Sequence, residues 1–267
     1  MASQIMFPAR TGPTSKVFRT TPSAWQDEGI LVPHEGLRWW NTELLEIVEK
    51  YDPTNPLTAW KTKVLFDFLD GYYVPCVHHH HNSEELIYNP AIATKLAAAG
   101  HKDASMAPIK KEHEQLMDQL SKISAFRGQI EVKATHETVH RFKSAMKDMI
   151  KHMEEHFVEE EKLFPKALRD SGMTEDEETA VVNKIIQGLG LDGNKRFLPP
   201  ILYAMCAWKG EKQMNEWLEA KVPGPIRMML SKCWWDDFNQ NQLKVLQGLK
   251  KDEELVPSPP SCGCSVQ

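Results

Sequence analysis

The chain of 267 residues carries 32 basic and 37 acidic side chains, for a formal charge of −5, and 41% of it is hydrophobic. That is enough apolar material for a sizeable core. The two signs of charge are intermixed rather than gathered into a basic stripe, which excludes the electrostatic footprint of a nucleic-acid binder. The longest apolar stretch, Phe197 to Trp208, contains Pro199 and Pro200 and falls well short of the roughly 20 residues that span a bilayer. Five cysteines without a C-x-x-C pair, and no secretory pattern at the start, point to a reducing, cytoplasmic setting.

Residues 1–30 read as a disordered arm. Arg10, Lys16 and Arg19 among Ser and Thr resemble a transit peptide in composition, but prolines 8, 13, 22 and 33 interrupt the amphipathic helix such a peptide needs. A first helix follows, with His34, Leu37, Leu44, Val48 and Tyr51 on one face, ending at Asp52-Pro53. A second runs from about Leu57 through Trp60, Val64 and Phe68 to Tyr88, kinked at Pro75 and stopping before Pro90. The third carries Met106, Ile109, His113, Leu116, Leu120 and Ile123 and ends near Gly128. The fourth has the clearest stripe: Val132, Val139, Phe142, Met146, Met149, Met153, His156, Glu160 and Leu163 recur in threes and fours with no Gly or Pro from Gln129 to Phe164. The expected fold is all-α, an up-down-up-down four-helix bundle over residues 31–170. Residues 171–250 read as additional C-terminal helices packed on it, and residues 251–267 as a flexible tail.

Within this pattern the segment from His81 to Pro90 recurs as His156 to Pro165, both as H-x3-E-x4-P, with 156 − 81, 160 − 85 and 165 − 90 all equal to 75. Positions four apart on a helix lie about 40° apart, so each copy presents an imidazole beside a carboxylate. His34, His81, Glu85, His113, His156 and Glu160 all fall on seams that the periodicity assigns to the interior, where charge is costly unless paired or bound to metal. Alternating helix directions bring the starts of helices one and three to the same level as the ends of two and four. The six side chains therefore converge on a metal, and the donor set suits iron, manganese or zinc. The helical phase turns His81 and His78 inward, leaving His79 and His80 at the surface or behind a ligand. Glu84 and Glu161, about 100° from the ligand carboxylates, are expected to be solvated, or hydrogen-bonded to a ligand histidine.

Two other motifs compete. His136-Glu137-Thr-Val-His140 matches the H-E-x-x-H zinc-protease pattern, but both histidines lie beside the apolar stripe and no third ligand is within reach on the same helix, so it reads as a chance match. The terminal Cys264-Ser-Val-Gln267 fits C-a-a-X prenylation, with Cys262 placed for a palmitoyl chain, or is a chance tetrapeptide. Lipidation would tether the chain peripherally to the cytosolic face of a membrane.

The His34-Glu-Gly-Leu37-Arg38 run, the His81/Glu85 pair, His113, and the His156 to Pro165 run together resemble the hemerythrin-like (HHE cation-binding) family over about residues 30–170. The resemblance implies a non-haem, oxo- or hydroxo-bridged di-iron centre, with His34, His81, His113 and His156 as terminal ligands and Glu85 and Glu160 as bridges. Such a centre binds or senses dioxygen or iron. Respiratory members pair two histidines on the third helix. Here Ile109 and Met117 flank His113 instead, leaving His78, His80 and His152 as candidates for a fifth imidazole. Neither a nucleophile with its base nor a substrate pocket is recognisable, so catalysis is not assigned. The alternatives are a di-iron enzyme, such as a ferrous oxidase or a nitric-oxide or peroxide reductase, and a helical interaction scaffold with a structural metal.

Overall fold

The computed structural model describes residues 24–55, 58–101 and 107–253, and every regular element among them is helical. Four helices form the bundle. Helix α1 is Trp25–Lys50, α2 runs over residues 61–98, α3 is Ala107–Lys133 and α4 is His136–Ser171. Four more follow: α5 (Glu175–Gly188), α6 (Gly190–Lys209), α7 (Glu211–Lys221) and α8 (residues 224–251). None of these helices is long and apolar enough to cross a membrane. Cys262 and Cys264, the proposed lipid sites, lie outside the described residues, as does most of the N-terminal arm. The part of that arm within view is helical, since α1 starts at Trp25 and buries Ile30.

The helix boundaries depart from the sequence expectation in ways that prolines and caps explain. Helix α2 passes through both Pro75 and Pro90 and continues to Ala98. Each proline follows a π-helical turn by two residues, Leu69–Tyr73 before Pro75 and Glu84–Tyr88 before Pro90. A proline ring clashes with the carbonyl four residues back and cannot donate to it; a wider turn at that place moves the carbonyl aside and lets the helix resume. Gly128 does not end α3, which runs to Lys133. The break comes at Thr135, whose hydroxyl accepts from the Thr138 amide at 3.1 Å and caps α4. Val132, placed on the fourth stripe by sequence, therefore belongs to α3 and is exposed. Helix α4 runs beyond Pro165 to Ser171 and ends at Gly172, whose φ of 65° is the left-handed conformation that glycine adopts without strain.

Helix α1 holds the two halves of the molecule together. Every residue from His34 to Asn41 is buried, although an amphipathic helix on a bundle surface would expose half of its circumference. On one side Trp40 packs against Phe68 and Tyr73 in the bundle core; on the other Trp39 meets Tyr203 of α6 and Phe238 of α8. A separate apolar cluster, including Val32, Leu198, Leu202, Met205 and Trp234, joins α1 to the C-terminal helices. Helix α6 comes so close to α1 that a Cβ on Gly36 would lie 3.1 Å from the Ile201 Cα, and a side chain there would have to push α6 away.

Candidate metal centre

Four bundle helices aim their polar residues at one buried level. Helix α1 contributes His34, α2 contributes His80, His81 and Glu84, α3 contributes His113, and α4 contributes His156 and Glu160. The donors divide into two groups of metal-holding dimensions: His81, His113 and His156, and His34, His80, Glu84 and Glu160. Both carboxylates also reach toward the first group. Glu160 Oε2 is 3.2 Å from His34 Nε2 and from His156 Nε2, and its Oε1 is 3.2 Å from His113 Nε2. Glu84 Oε1 is 3.4 Å from His80 Nε2, and its Oε2 is 3.5 Å from His113 Nε2. Two clusters linked by two carboxylates is the layout of a two-metal site.

Five of the six side chains expected from sequence meet there: His34, His81, His113, His156 and Glu160. Glu85 does not face the centre. It lies half-exposed behind His113, accepting from Nδ1 at 3.0 Å, and Glu84 takes the inward position. The fifth imidazole is His80, which sequence reasoning turned outward; of the other candidates, His152 is engaged with Gln119 and His78 joins neither group. Helical projection accounts for both differences. With His80 at 0°, Glu84 falls at about 40°, His81 at about 100° and Glu85 at about 140°, so Glu84 lies between the two imidazoles and Glu85 outside them. A helix facing one metal directs a single histidine inward, whereas one facing two directs an adjacent pair with the shared carboxylate between them. The His80-His81 doublet was the available signal, and the matching H-x3-E spacing of the two repeats concealed it.

Around the centre a ring of carboxylates fixes how the imidazoles point. His34 Nδ1 donates to Glu161 at 3.0 Å, His113 Nδ1 to Glu85, and His156 Nδ1 to Glu112 at 2.9 Å, which leaves each Nε2 facing inward with its lone pair. Glu161 is 1% exposed, not solvated, and Arg38 donates to it as well. Burial pushes the Glu161 carboxyl up, but His34 and the Arg38 guanidinium outweigh it and hold the group at about 2. Arg38 is itself fixed by Glu154 at 2.8 Å and lies over the Phe157 ring, which stacks on His34.

These residues fit a pair of cations. His81 is 2% exposed, and neither of its ring nitrogens makes a hydrogen bond; the inward atoms His34 Nε2, His80 Nε2, Glu160 Oε2 and both Glu84 oxygens make none of good geometry either. Buried polar atoms left this way cost about 1–3 kcal/mol each, which coordination would remove. The Nε2 atoms of His113 and His156 face each other at 3.0 Å. Two donors on one cation, with bonds of about 2.1 Å at a right angle, would lie about this far apart. The metal-free electrostatics give the same picture. Burial, and then neighbouring imidazoles, hold His80 and His81 well below the usual histidine range, so both are neutral and ready to coordinate. Burial, with Glu160 and Glu85 nearby, pushes Glu84 well above the carboxylate range, whereas burial of Glu160 is outweighed by the imidazoles around it, His156 first and then His113 and His34. Without metal, burial thus favours the neutral form of one carboxylate, whose charge a second cation would otherwise offset.

His136, Glu137 and His140 are exposed at the start of α4 and join neither group of donors. Comparison with curated proteins and with solved structures gave no match. The family model described as Hemerythrin HHE cation binding domain matches residues 30–167, just over half of the chain and the whole span that supplies the donors. The chain belongs to the hemerythrin HHE cation-binding family.

Proposed function

We propose that this protein holds two iron ions, one among His34, His80, Glu84 and Glu160 and the other among His81, His113 and His156, with Glu84 and Glu160 shared between them. The observation that carries the reading is the division of the donors into two linked groups at one depth of the bundle. Five imidazoles and two carboxylates are nitrogen- and oxygen-rich and contain no sulfur, which suits iron better than copper(I), and five nitrogen donors disfavour calcium. Such a centre supplies an open coordination position and electrons for binding dioxygen or a related small molecule. Two carboxylates offset only half of the +4 of two ferrous ions, so the site favours an additional anionic ligand.

The protein's own residues prepare that binding. Glu161, Glu85 and Glu112 orient His34, His113 and His156 and make their inward nitrogens more basic. His34 and, after it, Arg38 keep Glu161 ionised against its burial, and the Phe157 ring stacks on His34. A binding or sensing role is the simplest reading: the Ser83 hydroxyl, 3.2 Å from His79 Nε2 beside the centre, donates instead to the His79 carbonyl at 2.7 Å, so that pair is not an activated nucleophile. The test is the visible spectrum of the iron-loaded full chain under argon and in air. The reading expects an absorption band that develops with oxygen; identical spectra from a fully iron-loaded chain would overturn it.

A further inference from the structure

Between the bundle and its C-terminal helices lies a cavity of about 140 Å³, whose wall includes His80 and Glu84. Most of the remaining wall is apolar, with Val32 of α1, Val182 and Ile186 of α5, and Leu198 of α6. The half-buried rings of Trp25 and Trp217 also line it, as does the buried Phe197, against which His79 stacks. The cavity exists because α5 to α7 close over a face of α1 and α2 that the four-helix bundle would leave open. Its volume is close to that of an engineered, hydrocarbon-lined protein cavity of about 150 Å³ that stays dry and takes up benzene. The wall also holds Asn194, 1% exposed, whose amide donates to the carbonyls of Ile186 and Gly190 at 2.7 and 2.6 Å while its Oδ1 accepts no hydrogen bond.

We propose that this cavity is a binding site for a monocyclic aromatic molecule, bearing at most one hydrogen-bond donor, that lies beside the metal centre against His80 and Glu84. The volume admits one six-membered ring with a small substituent. Aromatic walls offer edge-to-face packing to it, and the unmatched Asn194 acceptor suits a phenolic O–H or an aromatic N–H better than a carboxylate. The occupant's class is read from the cavity alone; only its adjacency to bound iron rests on the proposed function.

The test uses toluene and phenol as probes of the full chain, with and without iron, followed by calorimetry and by the fluorescence of the wall tryptophans. Both probes should bind with and without iron, and phenol should bind more tightly. Val182→Trp, which puts an indole into the space, should weaken both by at least about tenfold while leaving helicity and metal content unchanged. Methyl resonances of the unsubstituted chain check the same site without a substitution, and the perturbed signals should be those of Val182, Ile186 and Leu198. No binding up to the probes' solubility, undiminished binding by a folded Val182→Trp chain, or perturbation confined to other methyl groups would overturn the proposal. In the iron-loaded chain a bound ring should shift the visible absorption, and binding without such a shift would contradict the adjacency. Failure to take up iron would remove the proposed function and leave the cavity measurement standing.

Discussion

Glu84 and Glu85 are adjacent, chemically identical and 100° apart on one helix, yet only Glu84 faces the two groups of imidazoles. If the proposed function holds, replacing each by glutamine separates a carboxylate shared between the metals from one that only orients a ligand histidine. Glu84→Gln should lose at least one metal ion per chain. Glu85→Gln should retain both and bind them about 10–100-fold more weakly, the effect of removing the partner that orients a ligand histidine. Metal analysis after dialysis against a graded chelator reads both, and the reverse order would show that Glu84 does not bridge. At this scale the sequence was most informative on α4, where His156 and Glu160 lie on an uninterrupted apolar stripe and the structure buries both. It was least informative on α2, where a spacing rule suited to one metal took Glu85 in place of Glu84 and selected His81 without its neighbour His80. Arg38, Glu112 and Glu161 escaped a specific assignment because their partners lie on other helices, as with Glu161 and His34, 127 residues apart.

The elements themselves were legible because apolar periodicity survives local irregularity. The stripes of all four bundle helices were visible, but their ends were not: a proline marks a stop only when no widened turn precedes it, and α2 has a π-turn before both of its prolines. The burial of α1 on all sides was also hidden, since nothing in its sequence says that α6 and α8 cover its second face. Two glycines give opposite expectations on this account. Gly36→Val brings side-chain atoms against Ile201 of α6 and should destabilise the folded chain by about 1–3 kcal/mol. Gly128→Ala, within α3 and facing open space, should stabilise it by about 0.5–1 kcal/mol. Urea unfolding of the two variants reads both signs, and a neutral Gly36→Val would mean that α1 and α6 do not approach as closely as described.

Over the whole molecule, a ring of buried imidazoles makes the metal-free protein sensitive to acid. His79, His80 and His81 are held below the histidine range, chiefly by burial, so below about pH 6.5 the unfolded chain takes up protons that the folded chain refuses. Glu84, raised chiefly by burial, acts in the opposite sense and offsets part of this, whereas His156, lowered by burial but raised further by Glu160 and Glu112, has its stabilising effect complete below about pH 6.5. Stability of the metal-free chain should therefore fall as pH drops from about 6.5 to 5, before the depressed carboxylates Glu160 and Glu161 begin to protonate. Thermal melts across that window check the sign, and a midpoint that rises on acidification would contradict it.

The central claim is that these helices enclose two cations rather than one. Counting metal per chain in the purified, iron-reconstituted protein, with His81→Ala beside it, tests this most directly. The account predicts two ions in the unsubstituted chain and no more than one in the variant, since His81 serves only one of the two groups. One ion per chain in both would contradict it.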